Sequence, residues 1–80
     1  MNNWRKLSDL KIGESAVIEE FSDDFLSLKF LEMGCLPGES ITLERIAPMG
    51  DPIIVNVSGY LMTMRKSEAK TILVSYLGSA

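Results

Sequence analysis

The sequence has no histidine and a single cysteine, Cys35. The commonest general base and the commonest transition-metal ligand are therefore missing. One thiol cannot close an internal disulfide, and a free thiol suits a reducing compartment. There is no glycine-rich phosphate loop of the P-loop or dinucleotide type. No run of basic residues occurs, and the net charge is −3. Nucleic-acid binding draws on Lys and Arg against phosphates, so the chain is not expected to bind nucleic acid. No apolar stretch approaches the ~20 residues that span a bilayer, so it is not expected to be membrane-embedded. The opening Met1–Ser8 segment has no apolar run, and no secretory signal is expected there. These absences point to a cytoplasmic protein that is not an enzyme and holds no cofactor, metal or catalytic site.

What is present suits one small folded domain over residues 1–80. The apolar fraction is 46 % and the charged fraction 24 %, ordinary for a globular chain. The organising stretch is Phe30–Gly38, FLEMGCLPG. Gly34 follows the last apolar-periodic residue, Met33, where a helix end favours a left-handed residue. Pro37-Gly38 then carries type II turn chemistry.

Residues 1–12 read as an arm in which Leu7, Leu10 and Ile12 form one helical turn, capped by Ser8 or Asp9 and ended by Gly13. Trp4 is expected to pack on the domain. Ser15–Phe21 reads as a strand. Ser22 reads as the cap of a helix whose first turn holds Asp23 and Asp24. Two apolar stripes follow on that helix. One is Phe25, Leu28 and Leu31; the other is Leu26, Phe30 and Met33. Together they make a wide apolar face with part to spare for a partner, leaving Ser27, Lys29 and Glu32 to solvent. Lys29 and Glu32 are spaced to pair.

After the turn, Glu39–Ile46 reads as a strand, 47–52 as a loop, and Ile53–Val57 as the clearest alternating strand. Ser58-Gly59 signals a two-residue hairpin into Tyr60–Met64. Ser67 is expected to cap a short helical turn, Ile72–Tyr76 closes the fold, and 78–80 is expected to fray. IGESAVI at 12–18 and PGESITL at 37–43 echo each other, which reads as one turn chemistry used twice. The expected fold is mainly β: a small SH3-like barrel of about five strands with one α-helix and a short helical turn. An OB-like barrel is the runner-up.

Glu19, Glu20, Asp23 and Asp24 form a local acidic cluster without calcium-loop spacing. Solvated strand and helix ends explain it best. Met33, Met49, Met62 and Met64 read as core filling rather than a thioether site. Cys35, just past a helix C-terminus, reads as a small buried apolar side chain.

The runs LKIGESAVI, FLEMGCLPGESITL and APMGDPIIVNVSGYLMTMRKSEAKTILV together resemble the ferrous iron transport protein A (FeoA) family over about residues 7–74. Their order and spacing carry the likeness. Relatives often have a basic residue where Leu28 stands and a leucine where Cys35 stands. The resemblance implies an SH3-like barrel in the cytoplasm. It also implies an accessory role beside FeoB, the membrane ferrous iron transporter, through docking on FeoB's cytoplasmic part. The residues expected to meet that partner are Leu28, Met33, Leu36, Pro37, Met49 and Asp51. The alternative is a weak ferrous ion-binding chaperone or sensor using the acidic cluster.

Overall fold

The structure is a computed structural model that describes residues 3–79. In chain order it contains β1 (Arg5–Lys6), a 3-10 turn (Leu7–Asp9), β2 (Glu14–Phe21), α1 (Asp24–Met33), β3 (Ser40–Ile46), β4 (Ile53–Val57), β5 (Tyr60–Met64), α2 (Lys66–Ala69) and β6 (Ile72–Ser79). The strands form one antiparallel sheet in the order β1-β6-β2-β3-β4-β5.

Alternation along each strand decides which face is inside. Ile53, Val55 and Val57 of β4 are at most 2 % exposed, while Ile54 and Asn56 between them are half-buried. Ala16 and Ile18 of β2, Ile41 and Leu43 of β3, Met64 of β5, and Ile72 and Val74 of β6 join them in one cluster. One ten-residue helix cannot cover the inner face of a six-stranded sheet. The sheet must curl onto itself, and the near-equal dimensions of 29 × 24 × 22 Å agree. Register shifts in β2 against β6 and in β3 against β4 supply local twist for that curvature.

The sequence echo is structural. Ala16 pairs with Ile41 across β2 and β3. The Gly13 N–H donates to the Leu43 carbonyl, and the Gly38 N–H donates to the Ile18 carbonyl. In the echo Gly13 corresponds to Gly38 and Ile18 to Leu43, so these two bonds are one contact made twice. Two like segments thus pair about a local pseudo-two-fold.

The organising stretch behaves as its sequence predicts. Gly34 has φ 94°, and its N–H bonds to the Leu31 carbonyl. The Cys35 N–H reaches the Phe30 carbonyl at 2.8 Å. That is a Schellman closure, and Cys35 and Phe30 supply its hydrophobic contact, both fully buried. Leu36 to Glu39 then form a type II turn: Glu39 N–H donates to the Leu36 carbonyl at 3.0 Å and Gly38 has φ 94°. A Cβ added at Gly38 would meet nothing within 4 Å. Gly38→Ala therefore tests backbone strain alone. It is expected to cost about 1–2 kcal/mol in urea unfolding with an unchanged m-value.

Several boundaries differ from expectation. There are six strands rather than about five, because β1 holds two residues, too few to show alternation. It pairs Arg5 with Val74 and Lys6 with Leu73. The 3-10 turn that follows has no side-chain cap, so neither Ser8 nor Asp9 serves as one. Asp23, not Ser22, caps α1, with its Oδ1 accepting from Leu26 N–H at 2.9 Å. Ser22 is occupied with the Thr71 carbonyl instead. Ser67 does not cap α2; that helix starts after Arg65, whose N–H donates to Glu68 Oε1 at 2.9 Å. β6 continues to Ser79 rather than fraying from Gly78; the expectation for Ala80 lies outside the described residues. Ser58 and Gly59 have φ of 49° and 97°, the two positive values of a type I′ hairpin turn.

Candidate interaction surface

The two stripes of α1 part company. At 100° per residue Leu28 and Phe30 point 200° apart, on opposite sides of the helix. Phe30 is fully buried, with Leu26 and Met33 packed beside it and the Phe21 ring centroid 5.3 Å away. The other stripe faces solvent: Phe25 is 87 % exposed, Leu28 64 % and Leu31 42 %. Leu36, just past the helix, is also exposed, as is Pro37. Large apolar side chains spaced three apart on a single helix face make a coherent patch rather than scattered exposure.

The helix is held so that this patch stays outward. Lys29 does not pair with Glu32; its ammonium forms an ion pair with Glu68 on α2. The Glu68 carboxylate also takes the Arg65 N–H. These two interactions hold Glu68 below the usual carboxylate range, the Lys29 hydrogen bond contributing most. A depressed folded pKa gives stability that is present above the ordinary glutamate value of about 4.3 and lost as pH falls through the folded value. The melting-temperature gap between wild type and Glu68→Gln is therefore expected to be positive at neutral pH. It should close as pH falls below about 4. A gap that stays constant with pH would show that charge is not the reason.

A second feature adjoins the helix end. A groove of about 300 Å3 is lined by Met33, Gly34, Glu39, Val57, Tyr60 and Met62, among others. Cys35 lies beneath, fully buried, its thiol 3.4 Å from the Met62 sulfur. Burial pushes that thiol up, which agrees with an apolar rather than nucleophilic role.

The residues singled out from sequence fall into three places. Leu28, Leu36 and Pro37 are exposed on the helix and the turn after it. Met33 is half-buried and lines the groove against the β4–β5 hairpin. Met49 and Asp51 lie on the loop between β3 and β4, away from the helix. Asp51 Oδ1 accepts from Lys66 N–H at 2.9 Å, Oδ2 is 3.9 Å from the Arg65 guanidinium, and the Asp51–Pro52 peptide is cis. Asp51 thus ties the loop to α2, while Met49 at the loop tip is 93 % exposed. Phe25, Leu31, Tyr60 and Met62 were not singled out as contact residues. For Phe25 and Leu31 the signal was on hand: two apolar stripes on ten residues are more than one core can receive.

Two of the four side chains of the acidic cluster are engaged locally. Glu19 accepts from the Ser75 hydroxyl at 2.5 Å and Asp23 caps α1. Among the described residues no group of three or more His, Cys, Asp or Glu side chains is placed to hold a metal ion. No helix there is long and apolar enough to cross a membrane.

Comparison with known proteins agrees with this geometry. The FeoA domain model matches residues 5–76. The FeoA-like protein of Clostridium acetobutylicum, solved by NMR, is 34 % identical and superposes with a TM-score of 0.90 over 100 % of this chain and 94 % of that one. Stenotrophomonas maltophilia FeoA, crystallised in complex with zinc and described as an SH3 domain protein, is 31 % identical, with a TM-score of 0.81 over 95 % of this chain and 99 % of that one. The sheet is accordingly an SH3-like barrel, as its sequence predicts. In Porphyromonas gingivalis an Fe(2+) transport protein A/Fe(2+) transporter FeoB fusion protein is 33 % identical over 75 residues. Those cover 92 % of this chain but only 9 % of the fusion protein's length. With the family match spanning most of the sequence, the chain belongs to the FeoA family, which is associated with ferrous iron transport.

Proposed function

We propose that this domain is a cytoplasmic accessory protein of ferrous iron uptake that docks on the cytoplasmic part of FeoB through the outer face of α1. It acts by binding rather than catalysis. The observation that carries this reading is the exposed stripe of Phe25, Leu28 and Leu31, continued by Leu36. Burying such a patch gives the hydrophobic centre that partner surfaces require, at about 25 cal/mol per Å2 of apolar area before the costs of association. The Porphyromonas gingivalis fusion supports the choice of partner, since there a similar domain shares one chain with FeoB. The lack of histidine and the burial of the only thiol support a non-catalytic role.

The test is binding of the purified domain to the soluble cytoplasmic region of FeoB, with GDP and with a GTP analogue. Micromolar or tighter binding is expected. Affinity that differs between nucleotides would make the domain a regulator of the nucleotide cycle. No binding in either state would overturn docking on that region. Tight stoichiometric heat with anaerobic ferrous ion would favour iron handling in its place.

A further inference from the structure

β5 is an edge strand, and only a short window of that edge is open. The hairpin turn makes Val57 and Tyr60 a hydrogen-bonded pair, so alternation turns the backbone of Tyr60, Met62 and Met64 toward β4. The N–H and C=O groups of Leu61 and Thr63 point away from the sheet. The next outward N–H on each side is already used. Gly59 N–H donates to Asn56 Oδ1 at 2.8 Å, and Arg65 N–H donates to Glu68 Oε1 at 2.9 Å. Among the described residues two donors and two acceptors are left, at Leu61 and Thr63, and both residues are exposed.

The strand, YLMTM, carries none of the usual protection of an edge. It has no charge and no proline, and Tyr60 and Leu61 are 75 % and 67 % exposed.

We propose that this edge pairs with the β5 edge of a second copy of the chain, antiparallel about a two-fold axis at Met62. In that register Leu61 faces Thr63 of the second copy, and Thr63 faces its Leu61. Each facing pair exchanges two backbone hydrogen bonds, so all four open groups on each edge are satisfied at once. Other antiparallel registers leave some of them unpaired or meet the occupied N–H groups of Gly59 and Arg65. Charge does not oppose the arrangement: the strand itself carries none, and Arg65 and Lys66 just past it are directed to Asp51 and Gly50 of their own chain. The pairing also joins the two apolar grooves across facing Met62 side chains. It leaves the outer face of α1 uninvolved, so it is independent of docking on FeoB.

The experiment is sedimentation equilibrium from about 20 µM to 1 mM, a range suited to an interface smaller than the ~1,200 Å2 of standard complexes. The mass is expected to rise with concentration toward twice 8.9 kDa. Thr63→Pro removes one outward N–H per copy that β4 does not use, and is expected to raise the dissociation constant at least about tenfold. A charge swap keeps the test decisive if that variant unfolds. A Leu61→Lys, Thr63→Lys double variant and a Leu61→Glu, Thr63→Glu double variant should each be monomeric alone and should pair when mixed. A wild-type chain that stays monomeric to 1 mM, or a swap mixture that stays monomeric, overturns the proposal. So does self-association undiminished in Thr63→Pro.

Discussion

Phe30→Ala is expected to lower the thermal midpoint by about 12–40 °C, enough to leave much of the protein unfolded at 37 °C. Phe30 is the largest fully buried side chain among the described residues. It lies on the inner face of α1, against the Phe21 ring, and at the Schellman closure where the Cys35 N–H meets its carbonyl. Truncating a buried Phe costs about 3–5 kcal/mol in lost transfer free energy and cavity. A domain of this length has about 4–12 kcal/mol of stability in total. Each kcal/mol moves the midpoint of such a domain by about 4–8 °C. The control is five residues away on the same helix: Phe25→Ala removes a ring that is 87 % exposed and should shift the midpoint by less than about 4 °C. If the two variants melt alike, the assignment of the two helix stripes to core and solvent is wrong.

That contrast marks where sequence stops being informative. Phe25 and Phe30 are the same residue type on one amphipathic helix. Periodicity places them on different stripes without saying which stripe meets the core. The choice is made by the chain around the helix: the Asp23 cap at one end, the Gly34 closure at the other, and the Lys29–Glu68 ion pair between α1 and α2. The last joins residues 39 apart in sequence, where local pattern carries no information, and it displaced the nearer pairing of Lys29 with Glu32. Features that depend on a few adjacent residues were legible instead. The positive φ of Gly34, Gly38 and Gly59, the type II turn at Pro37-Gly38 and the β4–β5 hairpin each follow from turn chemistry.

The acidic and loop residues show the same limit from the other side. Asp51 stands in a proline-bounded loop, and both its carboxylate oxygens are engaged at the start of α2. Its partners lie 14 and 15 residues on (Arg65, Lys66), beyond any local pattern. Cys35 was legible as buried because a thiol after a helix C-terminus gains nothing from the helix dipole. The groove above it was not legible, since it forms only when the helix end meets the β4–β5 hairpin.

Leu28→Glu is expected to weaken binding to the cytoplasmic region of FeoB by about 30-fold or more while leaving the fold intact. Leu28 is central in the exposed stripe, with Phe25 before it and Leu31 after it. Central apolar residues of an interface account for most of its binding energy, and losing one costs about 2 kcal/mol or more. A carboxylate adds the cost of burying an unpaired charge. In the free domain the same substitution is nearly neutral, because Leu28 is 64 % exposed and the stripe on the opposite side of α1 does the packing. The melting temperature should therefore hold within a few degrees while affinity falls. Phe25→Ala should weaken binding in the same direction, and Met49→Glu should leave it unchanged, since that loop is tied to α2 rather than to the stripe. Retained affinity in Leu28→Glu and loss in Met49→Glu would move the contact to the loop between β3 and β4.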